Sequence, residues 1–302
     1  MNPDQLLKHV SEALAQSDLS SARKLLDKLL SLTPEDKDAR HLAARLCRAL
    51  GDNEAAATHY RVCLNRDSSD EVAQFGLSVL GVLPKPSRVP DSILHHVFDR
   101  NAAYYEENMA SLQYMTPKIL EKLLKGLERQ PVQSLTLDLG CGTGLNGSWL
   151  RSRSRHLVGI DISPQMLRIA ESKKVYDRLH VSEIETFLES SVESFDLIVA
   201  SNVLMYFGIL NRVIAGLTRC LTQGGIVAFD LEGLKETETE DTILETVGGR
   251  FAHKPAYVQR ILIDSGFNVL VFEKEVMRYE KGQPVTGLFV IAKRNELGKL
   301  KP

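Results

Sequence analysis

The chain has 302 residues, 43% of them hydrophobic and 25% charged, with 11 Pro and 20 Gly. That length leans towards two domains of ordinary size, and the composition is that of a globular protein, which excludes collagen-like, coiled-coil or wholly disordered chains. Formal net charge is −2; residues 1–90 carry 12 charges of each sign, so neither end holds the Lys/Arg excess that nucleic acid or an anionic membrane requires.

Residues 1–83 show no strand-like alternation and read as helical. At an offset of 34, Ala22, Leu26, Leu29 and Pro34 recur as Ala56, Tyr60, Cys63 and Ser68, and Asp18 recurs as Asp52. A small–large–small pattern at this period resembles the tetratricopeptide repeat, a helix–turn–helix unit. Its opening helices fall at about 3–16 and 37–50, and a third at 70–81 caps the stack. Leu6 and Arg40 stand where the repeat favours a large aromatic. Such arrays bind peptides or mediate self-association, which leaves a protein partner and a purely structural appendage both open. Pro84, Pro86 and Pro90 make 84–90 a stiff connector, and the second domain is expected over 91–302.

From 134 onwards strands alternate with helices. Segments 134–140, 155–161, 178–182, 195–201 and 226–231 read as strands, with helices starting at Gly144 and at Ser163-Pro164. A helix over 254–265 stops at Gly266, and alternating segments 267–279 and 284–293 flank Lys281–Pro284 as an antiparallel pair. The expected fold is therefore α/β: a doubly wound, mostly parallel seven-stranded sheet with a C-terminal antiparallel hairpin, behind a small all-α domain. Ligands of such sheets bind beyond the carboxyl ends of the strands.

The segment Leu137–Gly144 (LDLGCGTG) places three glycines at a strand-to-helix turn, where the backbone can approach a ligand. Seventeen residues after Gly144, Asp161 ends the next strand, where a carboxylate can accept both hydroxyls of a ribose. With GIDISPQML, FDLIVASNVLMYF and the terminal hairpin, this resembles the class I S-adenosylmethionine-dependent methyltransferases over about 95–293. A dinucleotide dehydrogenase, the main competitor, prefers its third glycine one step later. The combination of repeats with VFDRNAAYYEENM, GRFAHKPAYV and MRYEKGQPVTGLFVIAKR further resembles a bacterial family of predicted methyltransferases with an N-terminal tetratricopeptide-repeat domain.

The resemblance implies S-adenosyl-L-methionine as cofactor. It places Asp138, Gly140, Cys141, Gly142 and Gly144 around the methionine part, Asp161 at the ribose, and Ile162 and Met166 against the adenine. Glu183 and Ile184 would flank the adenine amine, with a helix-capping acid as the alternative for Glu183. Ser201 and Asn202 would lie near the sulfonium, and Tyr105 would cover the cofactor. Methyl transfer is an in-line displacement that needs alignment more than a fixed catalytic motif. The candidate acceptor-handling residues are His253 and Tyr257, four apart and expected on one helix face, and Arg250 with Arg278 as a guanidinium clamp. Their alternatives are a helix cap, a packed aromatic, and ion pairs to Glu275 or Glu280. Met205, Tyr206 and Phe207 would line the acceptor pocket or fill the core.

Cys47, Cys63, Cys141 and Cys220 show no framework spacing, and no His/Cys/carboxylate cluster has metal spacing, so reduced thiols and no metal are expected. No leader pattern and no long apolar run is visible, which suits a cytoplasmic protein. The function expected is methylation of a small metabolite, without nucleic-acid or membrane partners. A protein methyltransferase whose repeats dock the target, and a non-catalytic interaction protein, are the alternatives.

Overall fold

A computed structural model describes residues 1–127, 133–245 and 248–296. They form two compact units, one of Met1–Pro86 with Leu244–Gly249, the other of Ser87–Ile243 with the chain from Arg250 onward.

The first unit is built from α1 (Pro3–Ala15), α2 (Leu19–Leu32), α3 (Lys37–Ala49), α4 (Asn53–Arg66) and α5 (Glu71–Val79). Each begins on a side-chain cap: Asn2, Asp18, Asp36, Asp52 and Asp70 accept backbone N–H groups of the first turn. Asp18 and Asp52 thus cap equivalent helices 34 residues apart, the physical content of the repeat. The repeat positions Ala22, Leu26 and Leu29, like Ala56, Tyr60 and Cys63, are all buried. Gly76 of α5 has no Cβ because the Tyr60 ring would lie 2.3 Å from it.

The chain enters the second unit earlier than the prolines suggest. Ser87 O accepts the N–H groups of Gly208 and Ile209, and Val89 N donates to Tyr206 O at 2.8 Å. Only 84–86 of the expected 84–90 connector therefore precedes this unit. Then follow α6 (Asp91–Asn101), α7 (Tyr105–Ser111), α8 (Thr116–Gly126), β1 (Gln133–Leu139), α9 (Gly147–Arg151), β2 (Ser154–Asp161), α10 (Pro164–Ser172), β3 (Arg178–Val181), α11 (Ile184–Ser190), β4 (Phe195–Ala200), α12 (Asn211–Cys220) and β5 (Leu221–Gly233). The chain continues with β6 (Thr242–Leu244), β7 (Phe251–His253), α13 (Pro255–Asp264), β8 (Phe267–Glu280) and β9 (Gln283–Arg294).

The strands stand in the order β3-β2-β1-β4-β5, all parallel. Strand β9 runs antiparallel on β5 and pairs in turn with β8. The expected seven strands are present, with β6 and β7 added to the sheet. Glu232 pairs with Ala252 of β7 and with Gly287 of β9, so these strands occupy opposite edges of β5. Strand β7 therefore takes the edge that β4 vacates after Ala200. Alternation along β5 supplies both cores: Val227 and Phe229 pack with α11, α12 and α13, while Ile226 and Ala228 pack with α8 and α9. No described helix is long and apolar enough to cross a membrane.

Candidate active site at the carboxyl ends of the strands

The site starts at the turn after β1. Gly140, Gly142 and Gly144 have φ of 71°, 54° and 82°, a region costly for residues with a Cβ. At Gly142 an added Cβ would meet nothing within 4 Å, so this bend faces open space. Its N–H donates to Asp161 Oδ2 at 2.8 Å, and Cys141 N donates to Ile160 O, tying the turn to the end of β2.

Asp161 is 9% exposed. Its Oδ1 accepts the Ser163 N–H at 2.9 Å, leaving each carboxylate oxygen further acceptor capacity. Burial pushes its pKa up to about 6, against the pull of the Ser163 and Gly142 N–H groups. Ser163 caps α10 through Met166 N and donates to Asp99 Oδ1 at 2.5 Å, which holds α6 over this corner.

Around these atoms lies a cleft lined by Gly140, Gly142, Asp161, Ile162, Met166, Ser182, Glu183, Ile184, Ser201, Asn202, Val203 and four aromatics: Phe98, Tyr105, Tyr206 and Phe207. Phe98 meets Tyr206 edge-on at 5.6 Å and Tyr105 at 6.5 Å. Opposite Asp161, Asn202 adopts φ 56°, and its N–H donates to Asp230 Oδ1 at 2.8 Å. Ser201 Oγ shares a 2.9 Å hydrogen bond with the Tyr114 hydroxyl. Asp230 is fully buried, its Oδ2 has no hydrogen-bond partner among the described residues, and burial pushes its pKa up to about 7.

Ten of the thirteen expected cofactor residues line this cleft. The other three, Asp138, Cys141 and Gly144, stand behind the turn, because a tyrosine that the sequence motif does not point to fills the space there. Tyr176, between α10 and β3, donates its hydroxyl to Asp138 Oδ2 at 2.7 Å, and Asn146 Nδ2 stands 3.4 Å from Asp138 Oδ1. The Tyr176 ring lies 3.0 Å from where a Cβ of Gly144 or Gly159 would stand. Gly144 is therefore small for an aromatic side chain. Burial pushes Asp138 up to about 7 and raises the Cys141 thiol.

Glu183 lines the cleft, yet its carboxylate is already engaged. It caps α11 through Glu185 N and Thr186 N and pairs with Arg88 Nη1 at 2.6 Å. Burial raises its pKa, but these N–H groups and Arg88 outweigh that and hold it below the ordinary range. Tyr105 lies in the lining, where burial raises its hydroxyl pKa.

The four expected acceptor-handling residues fall outside the cleft lining. His253 ends β7 rather than sharing a helix with Tyr257, because Pro255 opens α13 two residues later. The two rings stack at 6.2 Å in the interior. His253 Nε2 bonds to Phe207 O at 2.8 Å, while the Tyr257 hydroxyl accepts from Leu210 N and donates to Asn211 Oδ1. Both side chains thus fasten the segment after β4. Arg250 Nε donates to Glu232 at 2.7 Å and its Nη2 to Glu280 at 2.8 Å; Arg278 donates to the same two carboxylates. The guanidinium groups do converge, but on Glu232 and Glu280. Of the apolar trio, Tyr206 and Phe207 reach the cleft, and Met205 packs in the core.

The residues present suit an adenosine-containing ligand with a positively charged centre. They offer an open glycine bend, a carboxylate with spare acceptor capacity at a strand end, an apolar Ile162/Met166 wall and an aromatic cover; among the described residues no Lys or Arg lines the cleft.

Residues 137–227 match a protein-family profile described as a methyltransferase domain, and residues 13–74 one described as a tetratricopeptide repeat. The chain is 35% identical over 107 residues to human methyltransferase-like protein 27, covering 34% of this chain and 44% of that one. It is 31% identical over 132 residues to the malonyl-[acyl-carrier protein] O-methyltransferase of Pseudescherichia vulneris, covering 44% and 50%. The chain thus spans about half the length of these relatives, and 40% of the Saccharomyces cerevisiae 18S rRNA (guanine(1575)-N(7))-methyltransferase, to which it is 28% identical. Among solved structures, magnesium protoporphyrin IX methyltransferase of Synechocystis shares the fold at a TM-score of 0.53 and 17% identity, over 68% of this chain and 99% of that one.

Proposed function

We propose, from the premise that this chain joins a class I methyltransferase domain to an N-terminal tetratricopeptide-repeat unit, that it is an S-adenosylmethionine-dependent methyltransferase acting on a small metabolite. The observation that carries the reading is the open bend at Gly142 bonded to the buried Asp161, facing Ser201 and Asn202 across an aromatic-covered cleft.

When bound, S-adenosylmethionine supplies an electrophilic methyl carbon on a sulfonium. Asp161 accepts its ribose hydroxyls, and Ile162 and Met166 cover the adenine. The bend at Gly140–Gly142 lets the amino-acid end lie against the backbone. Tyr105, Phe98 and Tyr206 exclude water, and their ring faces are compatible with the cation. Ser201 and Asn202, fixed by Tyr114 and Asp230, mark where the acceptor enters. The acceleration then comes from alignment in a dry cleft, on the order of 7–11 kcal/mol for well-oriented partners. The near-neutral chain and the apolar lining favour a small acceptor over a nucleic acid.

The experiment is calorimetric titration with S-adenosylmethionine, S-adenosylhomocysteine and NAD, followed by a screen of metabolite fractions for labelled methyl uptake. Micromolar binding of the first two without NAD is expected. Binding of NAD alone would replace this reading with a dehydrogenase-type one.

A further inference from the structure

The helical unit brings together three side chains that the sequence separates by 22 and 7 positions: His41 of α3, Cys63 of α4 and Asp70 at the cap of α5. We propose that they form a binding site for one divalent transition-metal ion of the zinc class. All three are buried, and one donor atom of each lies within 4.8 Å of the other two. Nitrogen, sulfur and oxygen donors of this kind are those that zinc takes, at about 2.0–2.3 Å, which sets neighbouring donors roughly 3.5 Å apart in a tetrahedron. His41 Nε2 and Asp70 Oδ2 now stand 2.8 Å apart, so entry of an ion requires them to open by less than about 1 Å.

Several features prepare the donors. Asp70 Oδ1 accepts Val72 N and Ala73 N at 3.1 Å each, which fixes the carboxylate and turns Oδ2 inward. Backbone bonds that orient a ligating carboxylate are the usual outer support of a metal site. Lys37 Nζ lies 3.3 Å from Asp70 Oδ2, but it is also 3.3 Å from the half-buried Asp67, which can retain it. Cys63 is 4% exposed, so its thiol lies in the interior. Ala44, Tyr60, Ala73 and Leu77 surround the group with apolar surface. On binding, the thiol proton leaves to solvent, and thiolate and carboxylate together neutralise the dication, so the occupied group carries no net charge in this interior. Three protein donors leave the fourth position to water.

The test uses the full-length, tag-free, reduced protein titrated with Co2+ and then Zn2+. Uptake of one Co2+ per chain is expected, with the strong visible bands of four-coordinate Co2+ and a near-ultraviolet thiolate charge-transfer band, both bleached by Zn2+. Cys63→Ala should lose the charge-transfer band, and Cys63→Ala and His41→Gln should each weaken Zn2+ binding by more than about tenfold. A wild-type spectrum without thiolate or four-coordinate bands overturns the proposal without any variant. So does a Cys63→Ala protein that keeps the thiolate band, since Cys47, Cys141 or Cys220 would then hold the ion. S-adenosylmethionine titration of the same samples reads the other unit separately.

Discussion

Replacing Asp161 by Asn tests the cofactor assignment most directly. Each Asp161 oxygen already accepts one backbone N–H, from Gly142 at 2.8 Å and from Ser163 at 2.9 Å. An amide keeps one acceptor and turns its NH2 towards one of those donors, and it offers the ribose one hydrogen bond where the carboxylate offered two. A hydrogen bond to a charged group is worth about 1.5–3 kcal/mol, so losing one costs roughly that much, or about 10- to 140-fold in affinity. The pH dependence supplies a second reading of the same residue. Burial holds Asp161 at about 6, and the ribose hydroxyls donate to its ionised form. Wild-type affinity should therefore be complete above pH 6 and fall as pH drops through it, while Asp161→Asn shows no such fall. Calorimetry with S-adenosylhomocysteine from pH 5 to 8 measures both. A variant within twofold of wild type, or one that keeps the wild-type pH slope, would refute the assignment.

Asp138 and Asp230 are both pushed up to about 7, far above an unfolded carboxylate, so the folded chain holds more protons than the unfolded one between about pH 4 and 7. Their contribution to stability therefore declines as pH rises through that interval, and thermal melts of Asp138→Asn/Asp230→Asn should show a flatter pH dependence than wild type. At Gly142, where φ is 54° and a Cβ meets nothing, Ala should cost about 1–2 kcal/mol of stability while its methyl group blocks the cleft and weakens the cofactor more than tenfold. At Gly140 the same change adds a 2.6 Å approach to Val203, so denaturant melts should show a larger loss. Tyr257→Phe leaves the Leu210 N–H without its acceptor and should cost about 1–3 kcal/mol in the same assay, with cofactor affinity unchanged. Arg278→Ala withdraws a cation from the buried Glu232 and should cost about 3–5 kcal/mol; a loss below 1 kcal/mol would show that Arg250 alone suffices.

Local patterns carried much of the architecture. The 34-residue period appears as Asp18 and Asp52 capping α2 and α4, since a cap is a bond over three residues that needs no tertiary partner. The strands and the glycine bend were legible for the same reason: alternation and positive φ are properties of short segments. That Asp161 bonds Gly142 emerges only in the structure, where the parallel β1–β2 pair brings the two strand ends together.

What lies across the sheet or between helices was not readable. Spacing suggested that His253 and Tyr257 face an acceptor and that Arg250 and Arg278 clamp one. Packing turned the first two towards Phe207 and Leu210, and Glu232 and Glu280 drew the second two, because a buried cation settles on the nearest buried carboxylate. Tyr176 carried no motif, yet it holds Asp138 and explains the smallness of Gly144 and Gly159. The grouping of His41, Cys63 and Asp70, at spacings that belong to no metal motif, arises only when α3, α4 and the start of α5 pack together. Sequence by itself determined the chain's two-part fold and the strand ends at which its cleft lies, since both follow from short-range hydrogen bonding and strand periodicity. Tertiary structure alone decided which polar side chains face that cleft, because a side chain's direction and charge partner are set by neighbours distant in the chain.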